Sequence, residues 1–192
     1  MRTLVPTLLI CLLAPAASAL AGEAPASASS KPALDNPPVP FNKLAYGFVK
    51  ANLLRSAEKM PEENYGFKPT EAVRSFGQII GHVADSQYFF CSVARGEKNP
   101  GLKIEQTKTS KADLIAALKD SIAYCDKAFD GMTDASASEI VKLMGRDMPR
   151  RDVLTANDMH GMEHYGNLVV YLRIKNIVPP SSEPGLMPDP KK

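Results

Sequence analysis

The sequence predicts an all-α protein, a four-helix bundle. Four runs carry apolar residues at helical spacing, proline or glycine punctuates each run, and no two segments pair convincingly as strands. A chain of 192 residues with 44% hydrophobic and 23% charged residues suits one domain with its own core.

The chain opens with Arg2 and an apolar run from Leu4 to Leu13, followed by small residues at Ala17, Ser18, Ala19 and Ala21. That pattern reads as a signal peptide over 1–21, with a run too short to span a bilayer. A lipoprotein would need a cysteine at the cleavage point, and Cys11 lies inside the apolar run instead. Residues 22–40 are rich in Ala, Ser and Pro and read as a linker. The folded domain is expected over 41–182, with a loose Pro-rich tail at 183–192.

The first helix is expected over Phe41–Met60, where Leu44, Phe48, Ala51 and Leu54 share a stripe and Pro61 stops the run. The second is expected over Arg74–Ala94, capped by Ser75 or Thr70 and ended by Gly96. A long connection follows to about Thr109. Ser110, with Asp113 three residues on, starts the third helix, Lys111–Phe129, whose buried stripe is Leu114, Leu118, Ile122, Cys125 and Phe129. Residues 132–149 are harder to assign, and Glu139–Met144 reads as a short strand or extended segment. Their basic residues alternate with acids, as on a solvated face. The fourth helix is expected from about Arg150 to Asn176, where Pro179-Pro180 ends it.

The chain holds three histidines. His160 and His164 lie four apart in the fourth helix, so both rings point the same way with Cβ atoms about 6 Å apart. His82 lies on the apolar face of the second helix. Three neutral imidazoles from two helices would leave a metal ion with open positions, as in catalytic sites. Imidazole suits zinc, nickel, copper or iron. The pair alone is equally compatible with buried core histidines. Position 161 is glycine, so this is not the His-Glu-x-x-His protease motif with its general base. Gln78, Asp85, Ser86, Asn157, Asn167 and Tyr171 flank the histidines in helical phase and are candidate partners for the second ring nitrogens. Asn52 on the first helix is a further inward-facing candidate.

Taken together, Ala57–Glu63, Arg74–His82, His160–Arg173 and Ile177–Pro180 resemble the DinB/YfiT-like superfamily in their order and spacing. The resemblance spans roughly 41–182. It implies a four-helix bundle holding one divalent metal ion (Zn, Ni or Fe) through His82, His160 and His164. It also implies a choice among activities: thiol transfer, hydrolysis, or metal binding without catalysis. Small thiol cofactors are mainly cytoplasmic, so an exported, periplasmic or secreted, member points to hydrolysis by metal-activated water. No catalytic residue is assigned, and the substrate is expected to be a small molecule.

A net charge of +2, with 23 basic against 21 acidic residues, is no footprint for nucleic acid. No stable membrane insertion is expected after cleavage, and a homodimer is an open possibility. Of the three cysteines, Cys91 and Cys125 follow the leader. A disulfide and a pair of buried thiols are both open, with the expectation leaning to thiols. Parallel second and third helices, favoured by their long connection, would bring the two sulfurs to one height.

Overall fold

The computed structural model describes residues 38–183. The expected signal peptide, nearly all of the linker and residues 184–192 of the tail lie outside the described residues. The elements are α1 (Pro38–Lys59), α2 (Phe76–Arg95), α3 (Ile104–Thr107), α4 (Lys111–Asp130), α5 (Asp134–Ala137), β1 (Ile140–Leu143), β2 (Arg146–Pro149) and α6 (Arg150–Ile174). The four long helices α1, α2, α4 and α6 are the expected bundle. Helix α1 begins at Pro38, earlier than the expected Phe41. Proline fits a first helical turn because the amide hydrogen it lacks would have had no partner there.

Side-chain ties fix the directions. Lys43 donates to the Asp130 carbonyl and Lys111 to the carbonyls of Glu58 and Met60, so α1 and α4 are antiparallel. Asn42 reaches Thr155 while Val49 lies against Gly161, so α1 and α6 run together. Tyr171 donates to the Arg74 carbonyl and His82 meets His160, so α2 and α6 are antiparallel. Gly77 packs on Leu114 and Arg95 on Tyr124, so α2 and α4 are parallel, as the long connection suggested.

Parallel packing has a covalent consequence. Cys91 and Cys125 form a disulfide with Cα atoms 5.3 Å apart. The leaning towards buried thiols is therefore corrected. Both cysteines lie on the α2–α4 seam at matching heights, because each sits a similar distance from its helix cap.

The core has two parts. One gathers Leu53, Phe76, Ile80, Leu114, Leu118, Leu168 and Leu172 at the α2 N-terminal end. The other gathers the disulfide, Phe129, Val153 and Leu154, with Tyr46 stacked on Phe129 at 3.9 Å between ring centroids. Apolar burial of this kind is the main stabilising term in such a bundle.

Two features depart from the sequence reading. Segment 140–149 is a β-hairpin, with Ile140 opposite Pro149 and Leu143 opposite Arg146. Met144 and Gly145 form its loop with φ of 51° and 79°. Positive φ at both loop residues matches the right-handed twist of the strands. Only Leu143 of β1 is buried, so the strand's alternation is too faint to be read from sequence. The second feature is α3, inside what reads as a plain connection. No helix among the described residues is long and apolar enough to cross a membrane.

Candidate metal centre

Each histidine is placed by the apolar face of its helix. Ser75 caps α2 through the Gln78 amide, and the Gln78 side chain returns the bond, a full capping box. Ile79 and Val83, the buried residues next to His82 in helical phase, turn that side of α2 towards the interior. On α6, Gly161, Tyr165 and Leu168 face the interior and fix the phase of His160 and His164. Gly161 lies so close to α1 that an added Cβ would stand 2.6 Å from Val49 Cγ1. This explains the absent glutamate of the protease motif: position 161 faces a neighbouring helix rather than the histidines.

The three rings converge. His160 Nε2 lies 3.1 Å from His82 Nε2 and 3.1 Å from His164 Nε2. One ligand nitrogen from each ring lies within 4.8 Å of the others. Four ligands at about 2.0–2.1 Å around a tetrahedral zinc ion stand about 3.3 Å apart, so two of the three separations are already near that value.

The electrostatics favour the ligating form. Burial, then the neighbouring His82, lowers the pKa of His160. Burial, followed by His160 and His82, lowers that of His164 to about 4. Near neutral pH both rings are neutral and offer lone pairs, the form that metals bind. His82 Nδ1 lies 3.1 Å from Glu105 Oε2. With Nδ1–H donating to that carboxylate, the lone pair of His82 lies on Nε2, facing the other rings. Asn167 Nδ2 lies 3.4 Å from His164 Nδ1. A half-turn of the amide presents its oxygen to the same nitrogen, the arrangement a metal-ligating His164 requires. The donor set therefore fits a divalent ion.

The flanking residues divide by role. Asn167 meets His164, as helical phase suggests. Asp85 instead caps α3, accepting from the amides of Ile104 and Glu105 at 2.9 and 3.0 Å. Gln78 is occupied in the α2 cap, and the Tyr171 hydroxyl binds the Arg74 carbonyl. Ser86 and Asn157 make no hydrogen bond to a histidine ring among the described residues. Asn52 is fully buried, donating to the Phe48 carbonyl with its oxygen unpartnered. Glu163 is exposed.

Glu105 is the partner that sequence reasoning missed. It lies 23 positions beyond His82 in an apparent loop, and its other oxygen accepts from Arg74 Nε at 2.9 Å. A faint signal existed: Gly81, beside His82 on a buried face, marks a place where another backbone comes close.

A cleft of about 680 Å³ opens beside the histidines, lined by Lys68, Arg74, Glu105, His164, Asn167 and Tyr171 among others. This is ample for a small molecule.

A family model of the DinB superfamily matches residues 45–168, which takes in all three histidines. The chain belongs to the DinB superfamily. This DinB-superfamily chain is 28% identical over 120 residues to the YjoA protein of Bacillus subtilis (strain 168), covering 61% of this chain and 77% of the relative. Its fold is similar to a DinB-like protein from Bacillus cereus ATCC 10987, with a TM-score of 0.65 at 16% identity over 72% of this chain and 93% of the other. It is also similar to a mycothiol-dependent maleylpyruvate isomerase, with a TM-score of 0.59 at 18% identity. There the alignment covers 68% of this chain and 60% of that one. The structural likenesses show a shared fold.

Proposed function

We propose that this DinB-superfamily chain is a metal-dependent enzyme that hydrolyses a small molecule bound in the cleft beside His164. The observation that carries the proposal is the convergence of three Nε2 atoms, one of whose histidines, His164, lines a cleft. A divalent ion held by His82, His160 and His164 supplies Lewis acidity and lowers the pKa of a bound water or thiol. The chain's own part is positional. Two helices hold the imidazoles, Asn167 and Glu105 address their outer nitrogens, and Lys68 and Arg74 bring positive charge to the cleft wall. No other carboxylate among the described residues touches a histidine ring, so no protein general base is assigned.

A second reading, thiol-dependent transfer or isomerisation, draws support from the mycothiol-dependent neighbour. Hydrolysis is preferred because it needs no thiol, and the signal-like leader and the disulfide both suit export to an oxidising compartment.

The deciding experiment is metal analysis of protein purified without a histidine tag, followed by turnover assays on ester, amide and thiol-conjugate panels. The expected result is close to one divalent ion per chain, lost in His160→Ala and His82→Ala, and hydrolysis of an ester or amide without added thiol. Solvent oxygen in the product would identify water as the nucleophile. Metal-free wild-type protein, or turnover that requires a thiol, would overturn the hydrolase reading.

A further inference from the structure

Resting on the metal reading above, we infer that Glu105 is a positioning residue of the centre, and that α3 and its two anchors on α2 exist to hold it against His82. Three independent contacts converge on this one residue, two on its carboxylate and one on its backbone. Its Oε2 takes the Nδ1 side of His82 at 3.1 Å. Its Oε1 is held by Arg74 Nε at 2.9 Å, which stops the carboxylate from rotating away. Its own backbone amide is fixed by Asp85 Oδ2 at 3.0 Å, and the preceding amide by Oδ1 of the same side chain.

The fourth element is a space rather than a bond. A Cβ at Gly81 would stand 2.7 Å from Glu105 Cα and 2.9 Å from its nitrogen. Any other residue at 81 would push α3 off α2. Gly81 and Asp85 are one helical turn apart on α2, with His82 next to Gly81. One stretch of α2 therefore presents the ligand, the room for α3, and the carboxylate that caps it. This is more than a four-residue helix needs for stability, and its result is a fixed distance between Glu105 and His82.

The chemical consequence is a tautomer. Free neutral imidazole favours the proton on Nε2, the nitrogen that must here be bare. A carboxylate at Nδ1 reverses that preference and locks the ring plane. Arg74 also lines the cleft, so the chain Arg74–Glu105–His82 joins the cleft wall to the centre through two hydrogen bonds.

The test separates this inference from the metal reading. First, nitrogen-15 NMR of histidine-labelled, metal-free protein reports the tautomer. Wild-type His82 is expected as the Nδ1–H form, and Glu105→Ala as mainly Nε2–H, with Glu105→Gln retaining Nδ1–H because its amide oxygen still accepts. Second, chelator competition reports affinity. Glu105→Ala is expected to weaken zinc binding about 10–100-fold, with Glu105→Gln in between. Third, Asp85→Asn and Gly81→Ala, which touch no histidine nitrogen, should weaken zinc binding in the wild type and add nothing in the Glu105→Ala background. Circular dichroism of each metal-free variant checks that the bundle is intact. An unchanged His82 tautomer in Glu105→Ala would overturn the inference whether or not metal binds. So would full additivity of Gly81→Ala with Glu105→Ala. Loss of zinc binding on changing the histidines, with Glu105→Ala like wild type, would leave the metal reading standing and remove this one.

Discussion

His164 is the most enclosed of the three imidazoles, 6% exposed, and burial followed by its two neighbours brings its pKa to about 4. An unfolded histidine titrates near 6.5. Between those values the unfolded chain binds a proton that the folded chain refuses, so acid favours unfolding. The stabilisation is full above about 6.5 and is lost as pH falls through about 4, with a ceiling of roughly 3 kcal/mol. Asp158 works in the opposite sense. Burial raises its pKa to about 7, and one of its oxygens has no partner. Between about pH 4 and 7 unfolding releases its proton, so stability falls as pH rises through that window, by up to roughly 4 kcal/mol. The two effects oppose each other over the same window, about pH 4 to 7, so thermal melts of metal-free protein should show little net pH dependence from this pair until one member is removed. Asp158→Asn should raise the melting temperature at pH 8 but not at pH 4, leaving stability that rises with pH, and His164→Gln should leave stability that falls as pH rises from about 4 to 7. An unchanged profile in both variants would show that neither group is as enclosed as described.

At the scale of elements, the bundle trades side-chain bulk for closeness at two glycines. Gly161 lets α6 approach α1, with Val49 behind it, and Gly81 lets α3 approach α2. Gly161→Ala should cost about 1–3 kcal/mol in denaturant unfolding, because Val49 is buried and its short branched side chain has little room to turn. A neutral or stabilising effect, as expected for Gly→Ala in an unobstructed helix, would mean that α1 and α6 stand farther apart. The helix runs were legible from period and punctuation: Ser75, Ser110, Gly96 and Pro61 all act at or beside the ends they mark. The hairpin and α3 were not legible. Each is four residues per segment, with one buried side chain at most in α3 and in β1, and neither carries a pattern long enough to read.

At the scale of the whole molecule, the crossover through α3 sets α2 parallel to α4, and parallel packing brings Cys91 beside Cys125. The bond closes a separation of 34 residues. By the chain-entropy argument such a loop contributes about 4 kcal/mol through the unfolded state. Replacing both cysteines by alanine should lower stability by that order while leaving helical content and histidine geometry unchanged, since the disulfide lies in the second core cluster and the histidines outside it. Denaturant titration with and without reductant measures it. Wild-type protein indifferent to reductant would show that the bond contributes nothing. At the other end of the bundle, Glu183 pairs with Arg55 and Lys59, so the first residue of the expected loose tail is tied to α1.

The sequence by itself determined the class, the four long helices and the three histidines, because helical period, caps and an i, i+4 pair are local properties written in consecutive residues. It left open the disulfide, the partner at His82 and the presence of the cleft. Those depend on which helices lie side by side and in which direction, and so on long-range packing. Only the tertiary structure decided that His82 meets the α6 pair, that Glu105 crosses 23 positions to reach it, and that a cleft opens beside His164. The physical reason is that a single gap, at Gly81, and a single cap, at Asp85, set the path of the crossover, and neither carries its meaning until the chain has folded.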